Sequence, residues 1–414
     1  MSLTKENDST TPEDEQRLVN IKNKPDLSQM YNLYDFEYVA RNTIPSTAWN
    51  FYSTGADDEI TLRENHASYH RLFFKPRVMR DVSKIETWTT LLGKRTSAPF
   101  YISATGFGKL GHPDGELNLT RAAGKEDVVQ MVGTLASIPF DDLADARIDG
   151  QTQWYQLYVN SDRELTKRTI ENVEKRGCKG IFITVDAPQA GNREKDMRSK
   201  TIDQDVKVAG GEHNDRSHGV SVAVTSYIDP TLNWEDLVWI KTITKLPILL
   251  KGIQTAEDAV LAAQYGCHGI VLTNHGGRQL DFSRAPLEVL MEVMPALKEK
   301  NLDKNFEVFI DGGVRRGTDI LKALCLGAKG VGIGRPFLYA MSTYGVEGVQ
   351  KAIQLLKSEL VSSMRLLGVT SIDQLGPQYI DHNSFFSRSV PADKLFDKVY
   401  QPLANPPFKS EARL

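Results

Sequence analysis

The chain has 414 residues, 50 Lys and Arg against 53 Asp and Glu, and 40% hydrophobic residues, enough for a sizeable core. A formal charge of −3 offers no basic field to nucleic acid or an anionic bilayer, and no apolar run nears the ~18 residues of a spanning helix. Nucleic-acid-coating, membrane, fibrous and disordered classes are therefore excluded, and a soluble enzyme is the leading expectation.

Met1–Asn23 is too polar for a signal peptide. Cys178, Cys267 and Cys325 are sparse, odd in number and set beside helix-to-strand turns, which fits buried packing in a reducing compartment rather than disulfides or a metal site.

Residues 1–27 show no apolar period and read as a flexible arm. Order is expected from Asn32, where Leu33, Phe36, Val39 and Ala40 recur at helical spacing with Asp35 as N-cap. A second helix is expected over Thr47–Ser53, closed by Gly55 as a left-handed cap.

From about residue 99 the pattern becomes short apolar runs alternating with amphipathic segments. The runs are Pro99–Ala104, Val128–Leu135, Gln153–Val159, Gly180–Val185, Pro247–Lys251, Gly269–Thr273, Glu307–Ile310 and Gly330–Ile333. Near-continuous in Val, Ile, Leu, Phe and Tyr, they are suited to strands buried on both faces. Eight such strand–helix units predict an α/β (β/α)₈ barrel over about 99–345, inside one domain of about 28–390, with a tail over 391–414. A doubly wound open sheet would want a Gly-x-Gly-x-x-Gly turn after an early strand, and none stands there. The connection over about 190–228 is polar, aperiodic and too long for a simple turn; leaving the C-terminal end of a strand, it reads as a mobile lid.

Barrels keep their chemistry at that end of the strands, so polar residues there are the candidates. Ser103-Ala-Thr-Gly106 follows the first strand, Gln156 and Tyr158 share a face of the third, and Thr184-Val-Asp186 ends the fourth. Lys251 ends the fifth, Thr273-Asn-His-Gly-Gly-Arg278 the sixth, Asp311-Gly-Gly-Val-Arg-Arg316 the seventh and Gly334-Arg335 the eighth. Glycines and guanidiniums at the last two ends suit a phosphorylated ligand, the glycines by removing Cβ atoms from its path. His275 with Asp186 at one rim is the arrangement of an oriented general base, and Arg278 offers a fork for a carboxylate. Lys251 is open between a Schiff base, as in an aldolase, a fixed charge beside an electron-rich ring, and a rim salt bridge. No second histidine stands at ligand spacing, so no metal is expected.

The motifs Thr273-Asn-His-Gly-Gly-Arg-Gln-Leu-Asp281, Asp311-Gly-Gly-Val-Arg-Arg-Gly-Thr-Asp319, Thr184-Val-Asp-Ala-Pro188 and Gln153-Trp-Tyr-Gln-Leu-Tyr-Val-Asn-Ser-Asp-Arg163 carry a resemblance. The chain from Asn32 to about Val390 resembles the FMN-dependent L-2-hydroxy-acid oxidase/dehydrogenase family. The resemblance implies FMN as cofactor, with Ser103, Ala104, Thr105, Gln156, Thr184, Lys251 and Thr273 around the ring, Lys251 near N1/O2. It places Asp311, Gly313, Arg315, Gly334 and Arg335 on the ribityl chain and phosphate. It makes His275 the base, oriented by Asp186, with Arg278, Tyr158 and Arg193 on the substrate and Leu135 lining the side-chain pocket. The chain departs from the family at Phe51, where a carboxylate-binding Tyr is usual, and at Gly106 and Gly133, which replace a commoner Ala and Ser. Tyr52 is a second candidate for the missing hydroxyl. The resemblance also implies a homotetramer acting on a small 2-hydroxy acid.

No His-Pro-Gly-Gly haem segment of a cytochrome b5-like domain occurs, and Ala412-Arg-Leu414 resembles a peroxisomal address. Together these give the expectation of an oxidase in the peroxisome, alternatively the cytoplasm, passing electrons to O₂ to form H₂O₂. The alternatives are an L-lactate dehydrogenase passing electrons to a cytochrome or another non-oxygen acceptor, an artificial one included, and a non-catalytic FMN-binding protein in which Phe51 has cost the carboxylate site.

Overall fold

All eight apolar runs become parallel strands. A computed structural model describes residues 12–198 and 227–386. In it, β4 (Phe100–Ile102), β5 (Val129–Gly133), β6 (Gln153–Leu157), β7 (Ile181–Thr184), β8 (Ile248–Ile253), β9 (Gly269–Leu272), β10 (Glu307–Asp311) and β11 (Gly330–Ile333) form a closed barrel. β11 pairs back onto β4 through Val331 and Phe100, which leaves no open edge.

Side chains alternate across each strand, so each run supplies two layers. Tyr101, Val129, Met131, Trp154, Phe182, Leu249, Val271 and Phe309 point inward and form one apolar cluster. Trp154 is its centre, with ring centroids 4.8 Å from Phe182, 5.1 Å from Tyr101 and 5.4 Å from Phe309. A hairpin of β2 (Thr89–Leu91) and β3 (Lys94–Thr96) closes the bottom, placing Leu91 among the inner residues. The alternate residues, among them Ile102, Val132, Ile183, Leu250, Leu272 and Ile310, pack outward against the helices.

Those helices include α5 (Leu117–Lys125), α6 (Phe140–Asp145), α7 (Arg163–Lys175), α8 (Glu194–Arg198), α9 (Trp234–Ile243) and α10 (Ala256–Gln264). α11 (Pro286–Glu299), α12 (Gly317–Cys325) and α13 (Arg335–Leu367) follow. α13 kinks at Gly345, whose φ of 60° and ψ of −140° are not helical. The three cysteines are buried, as expected of packing residues.

The N-terminal layer differs from expectation in three places. Pro12–Lys22, inside the expected arm, is helical (α1), favoured by proline in its first turn and by Glu13, Asp14 and Glu15 near its positive end. In α2 (Leu33–Thr43) the N-cap is Asn32, whose side chain accepts from Tyr34 N and Asp35 N, and Asp35 completes the capping box from the third position. α3 (Ser46–Ser53) ends on Thr54 in extended conformation, so Gly55 is no left-handed cap. Gly55 is small because a Cβ there would lie 3.0 Å from Leu62 Cβ and 3.1 Å from the Gly277 carbonyl.

α4 (Ile60–His70) was not foreseen. Its first turn donates Ile60 N and Thr61 N to Asp281, so a carboxylate from the loop after β9 ties this helix to the barrel mouth. The expected lid lies largely outside the described residues, as does the C-terminal tripeptide. Among the described residues no helix is long and apolar enough to cross a membrane.

Candidate active site

The same two-residue period that builds the inner core builds the site above it. Two positions beyond Tyr101, Met131, Trp154, Phe182, Leu249, Val271 and Phe309 stand Ser103, Gly133, Gln156, Thr184, Lys251, Thr273 and Asp311. One period further come Thr105, Leu135, Tyr158, Asp186, His275 and Gly313. A cavity opens over this ring. Phe51, Ser103, Ala104, Thr105, Leu135, Gln156, Tyr158, Arg193, Lys251, His275 and Arg278 all line it, with Asp311, Gly313, Arg315, Gly334 and Arg335 at its other end.

His275 Nδ1 lies 3.0 Å from Asp186 Oδ1, and its Nε2 lies 3.3 Å from the Tyr158 hydroxyl. An ionised carboxylate can only accept, so Nδ1 carries the proton and Nε2 presents its lone pair. Burial would push the Asp186 carboxyl up, but His275 and then Lys251 hold it below the usual carboxylate range. Burial, helped by Lys251, pushes His275 below 6.5 despite Asp186. The two shifts agree on one state near neutral pH, a neutral imidazole beside an ionised carboxylate. His275 sits in left-handed backbone, φ 60°, continued by Gly276 and Gly277, and its N–H donates to Thr273 Oγ1 at 3.0 Å. Such backbone in a non-glycine costs on the order of 1–3 kcal/mol, so the surroundings must hold it.

Arg278 lies with its guanidinium carbon 4.8 Å from the Phe51 ring centroid and donates to the Phe51 carbonyl at 2.6 Å. Arg193 donates to the Arg278 carbonyl at 3.1 Å. Burial pushes Arg193 down to about 10, and burial with two neighbouring guanidiniums lowers Arg278 well below its ordinary value. Crowded, desolvated cations favour an incoming carboxylate. Tyr52 does not replace the missing phenol: its hydroxyl donates to the Phe107 and Gly108 carbonyls at 2.8 and 3.2 Å.

Two expected ring contacts stand one layer back. Thr184 Oγ1 accepts from Gln156 Nε2 at 2.8 Å, and Thr273 Oγ1 holds the His275 backbone. Gly313 is also small for a reason other than an approaching phosphate: its Cβ would lie 2.2 Å from the Asn65 carbonyl of α4. At Gly334 the neighbourhood is looser than at Gly313, with Thr105 Cγ2 at 3.6 Å. Sequence reasoning missed Gln279. Its amide oxygen accepts from Arg193 at 2.9 Å, while its nitrogen donates to the Asp186 and Gln189 carbonyls at 3.0 and 2.8 Å. Nothing local marks that role, because its partners arrive from another strand end.

The chemistry of the lining fits a flavin mononucleotide. Lys251 is 4% exposed and its ammonium has no hydrogen bond or ion pair among the described residues, so a buried cation faces the cavity without a direct partner. Thr105 Oγ1 is likewise buried without a partner. At the far end, Arg335 is splayed by the Tyr52, Gly276 and Thr54 carbonyls, and Arg315 is braced by Glu37 at 3.2 Å, so two guanidiniums are fixed in the cavity that Gly334 also lines.

A closed parallel barrel with a buried lysine, an oriented imidazole and paired arginines at its mouth defines a flavin-binding oxidoreductase class. The family described as FMN-dependent dehydrogenase matches residues 40–382, and the chain belongs to that family, with FMN as its cofactor. It is 56% identical over 407 residues to L-lactate dehydrogenase (cytochrome) of Wickerhamomyces anomalus, covering 98% of this chain and 71% of the relative. Against the Saccharomyces cerevisiae protein of the same name the identity is 53%, over 91% of this chain and 65% of the relative. The chain thus spans about two thirds of these two proteins. 2-Hydroxyacid oxidase 2 of Bos taurus is 41% identical over 84% of this chain and 97% of that protein. Among solved structures, a double mutant of flavocytochrome b2 with pyruvate bound superposes with a TM-score of 0.85 at 51% identity, covering 97% of this chain and 99% of the other. Mandelate oxidase with (S)-4-hydroxymandelic acid gives 0.78 at 33% identity, covering 85% and 98%.

Proposed function

We propose that the protein oxidises L-2-hydroxy acids, L-lactate first among them, to 2-oxo acids, and that its electrons go to an acceptor other than oxygen. The observation that carries the reaction is the His275–Asp186 pair, fixed in the base-ready tautomer beside two buried arginines. Arg278 and Arg193 bind the carboxylate, Tyr158 bonds the hydroxyl oxygen, and His275 Nε2 takes a proton while Asp186 stabilises the imidazolium that results. Gln156, Lys251 and the Ser103–Thr105 segment hold the ring of FMN, and Asp311, Arg315, Gly334 and Arg335 its ribityl and phosphate end. Bound there, FMN supplies the two-electron acceptor that the oxidation needs. Leu135, Phe51 and Phe107 form the apolar wall that meets the substrate side chain.

The acceptor is a revision of the sequence-level expectation. Oxygen was expected because no haem segment occurs, yet the relatives named as cytochrome-linked dehydrogenases match at 56% and 53% identity, against 41% for the oxidase. Reduced protein mixed with air-saturated buffer should stay reduced for minutes and reoxidise at once on adding ferricyanide or cytochrome c. Reoxidation by air within seconds, with stoichiometric peroxide, would restore the oxidase reading.

A further inference from the structure

β8 breaks the pattern that built the site. Leu249 points inward and Ile248 and Leu250 outward, as in neighbouring strands, and Lys251 turns inward to the cavity. Continued alternation would turn Ile253 onto the rim, level with Asp186 and His275. Instead the pairing of β8 with β9 slips between Lys251 and Ile253, and Ile253 lies with the outward Leu250 and not among the residues that line the cavity. Gly252 is the extra residue, a β-bulge, at φ +121°. An ideal Cβ on it would lie 2.6 Å from Asp186 Cβ and 2.8 Å from both Asp186 Cγ and N. No side chain fits there while Asp186 keeps its place.

We propose that the Gly252 bulge is a positioning device for the proton-transfer pair: it turns Ile253 away from the rim and leaves the space from which Asp186 reaches His275 Nδ1. The inference rests on His275 acting as the base. Displacing Asp186 would remove the carboxylate that fixes the tautomer and stabilises the imidazolium. The other charged or titratable groups facing His275 are Lys251 from β8, Tyr158 beyond β6, Arg193 from the segment before α8, and Arg278 from its own loop. Of the groups around His275, Lys251 and Arg193 oppose its protonation and Asp186 favours it, so loss of the Asp186 contact moves its titration to lower pH.

The test compares Gly252→Ala with Gly150→Ala, which places a methyl at a positive φ of +76° with nothing within 4 Å. Gly252→Ala should keep its FMN absorbance, lose about tenfold or more in kcat, and show the His275 imidazole titrating at least ~0.5 pH unit lower by NMR. In an Asp186→Asn background the same substitution should cost less than about twofold, since its target is already gone. Gly150→Ala should change none of these. A kcat loss with an unmoved titration and full additivity with Asp186→Asn would overturn the proposal. If Gly252→Ala does not fold, recovery of soluble, FMN-containing protein by Asp186→Gly supports it, and failure of both overturns it. Near-normal turnover of His275→Ala, with the titration still shifted in Gly252→Ala, would sink the base assignment and leave the packing relation intact.

Discussion

Phe51→Tyr should lower KM for L-lactate about tenfold with little change in kcat. Phe51 is 6% exposed, its ring lies 4.8 Å from the Arg278 guanidinium carbon and meets Phe107 edge-on at 5.3 Å. A hydroxyl added at the ring tip would give the substrate carboxylate a phenolic donor beside the Arg278 fork. A hydrogen bond to a charged group contributes ~1.5–3 kcal/mol, or roughly 10–150-fold in affinity. The low end applies, because the hydroxyl must itself be desolvated. The backbone contact is indifferent to the change, since Arg278 donates to the Phe51 carbonyl. Steady-state kinetics on Phe51→Tyr and Tyr52→Phe side by side form the assay. Tyr52→Phe should leave KM within about twofold while lowering stability by about 1 kcal/mol, its hydroxyl being bound to the Phe107 carbonyl. An unchanged KM in Phe51→Tyr together with a raised KM in Tyr52→Phe would show that Tyr52, not position 51, meets the carboxylate.

His275→Ala should retain FMN and slow flavin reduction by at least ~10²-fold, read by anaerobic stopped flow, and near-normal turnover would contradict its role. Because His275 is pushed below 6.5 by burial and acts as the neutral form, kcat/KM should be flat near neutrality and fall as pH drops through a lower value; a half-point above about pH 7 would contradict this. Gln279→Glu should raise KM for hydroxy acids about tenfold and change kcat less, because a carboxylate there pairs with Arg193 and competes with the substrate anion. An unaltered KM would show that Arg193 does not meet the substrate.

The barrel was legible because each strand is a run of apolar residues ending in polar ones, and the two-residue period then carries Trp154 to Gln156 and Tyr158, or Val271 to Thr273 and His275. What sequence could not show depends on partners far along the chain. Asp281 caps α4 from 220 residues away in sequence, and Gly313 is small because of Asn65. Asn32 and Asp35 are both capping residues, and periodicity alone did not tell the cap from the third position. The bulge at Gly252 left no local mark, since Lys251-Gly252 reads as an ordinary strand end until Asp186 is placed against it.

Anaerobic mixing of the yellow protein with L-lactate, followed at the visible flavin band, reads the oxidation itself. Bleaching is expected with L-lactate and not with D-lactate, with one equivalent of pyruvate per flavin and loss of the rapid phase in His275→Ala. A band unchanged by L-lactate, glycolate and larger L-2-hydroxy acids alike would contradict it.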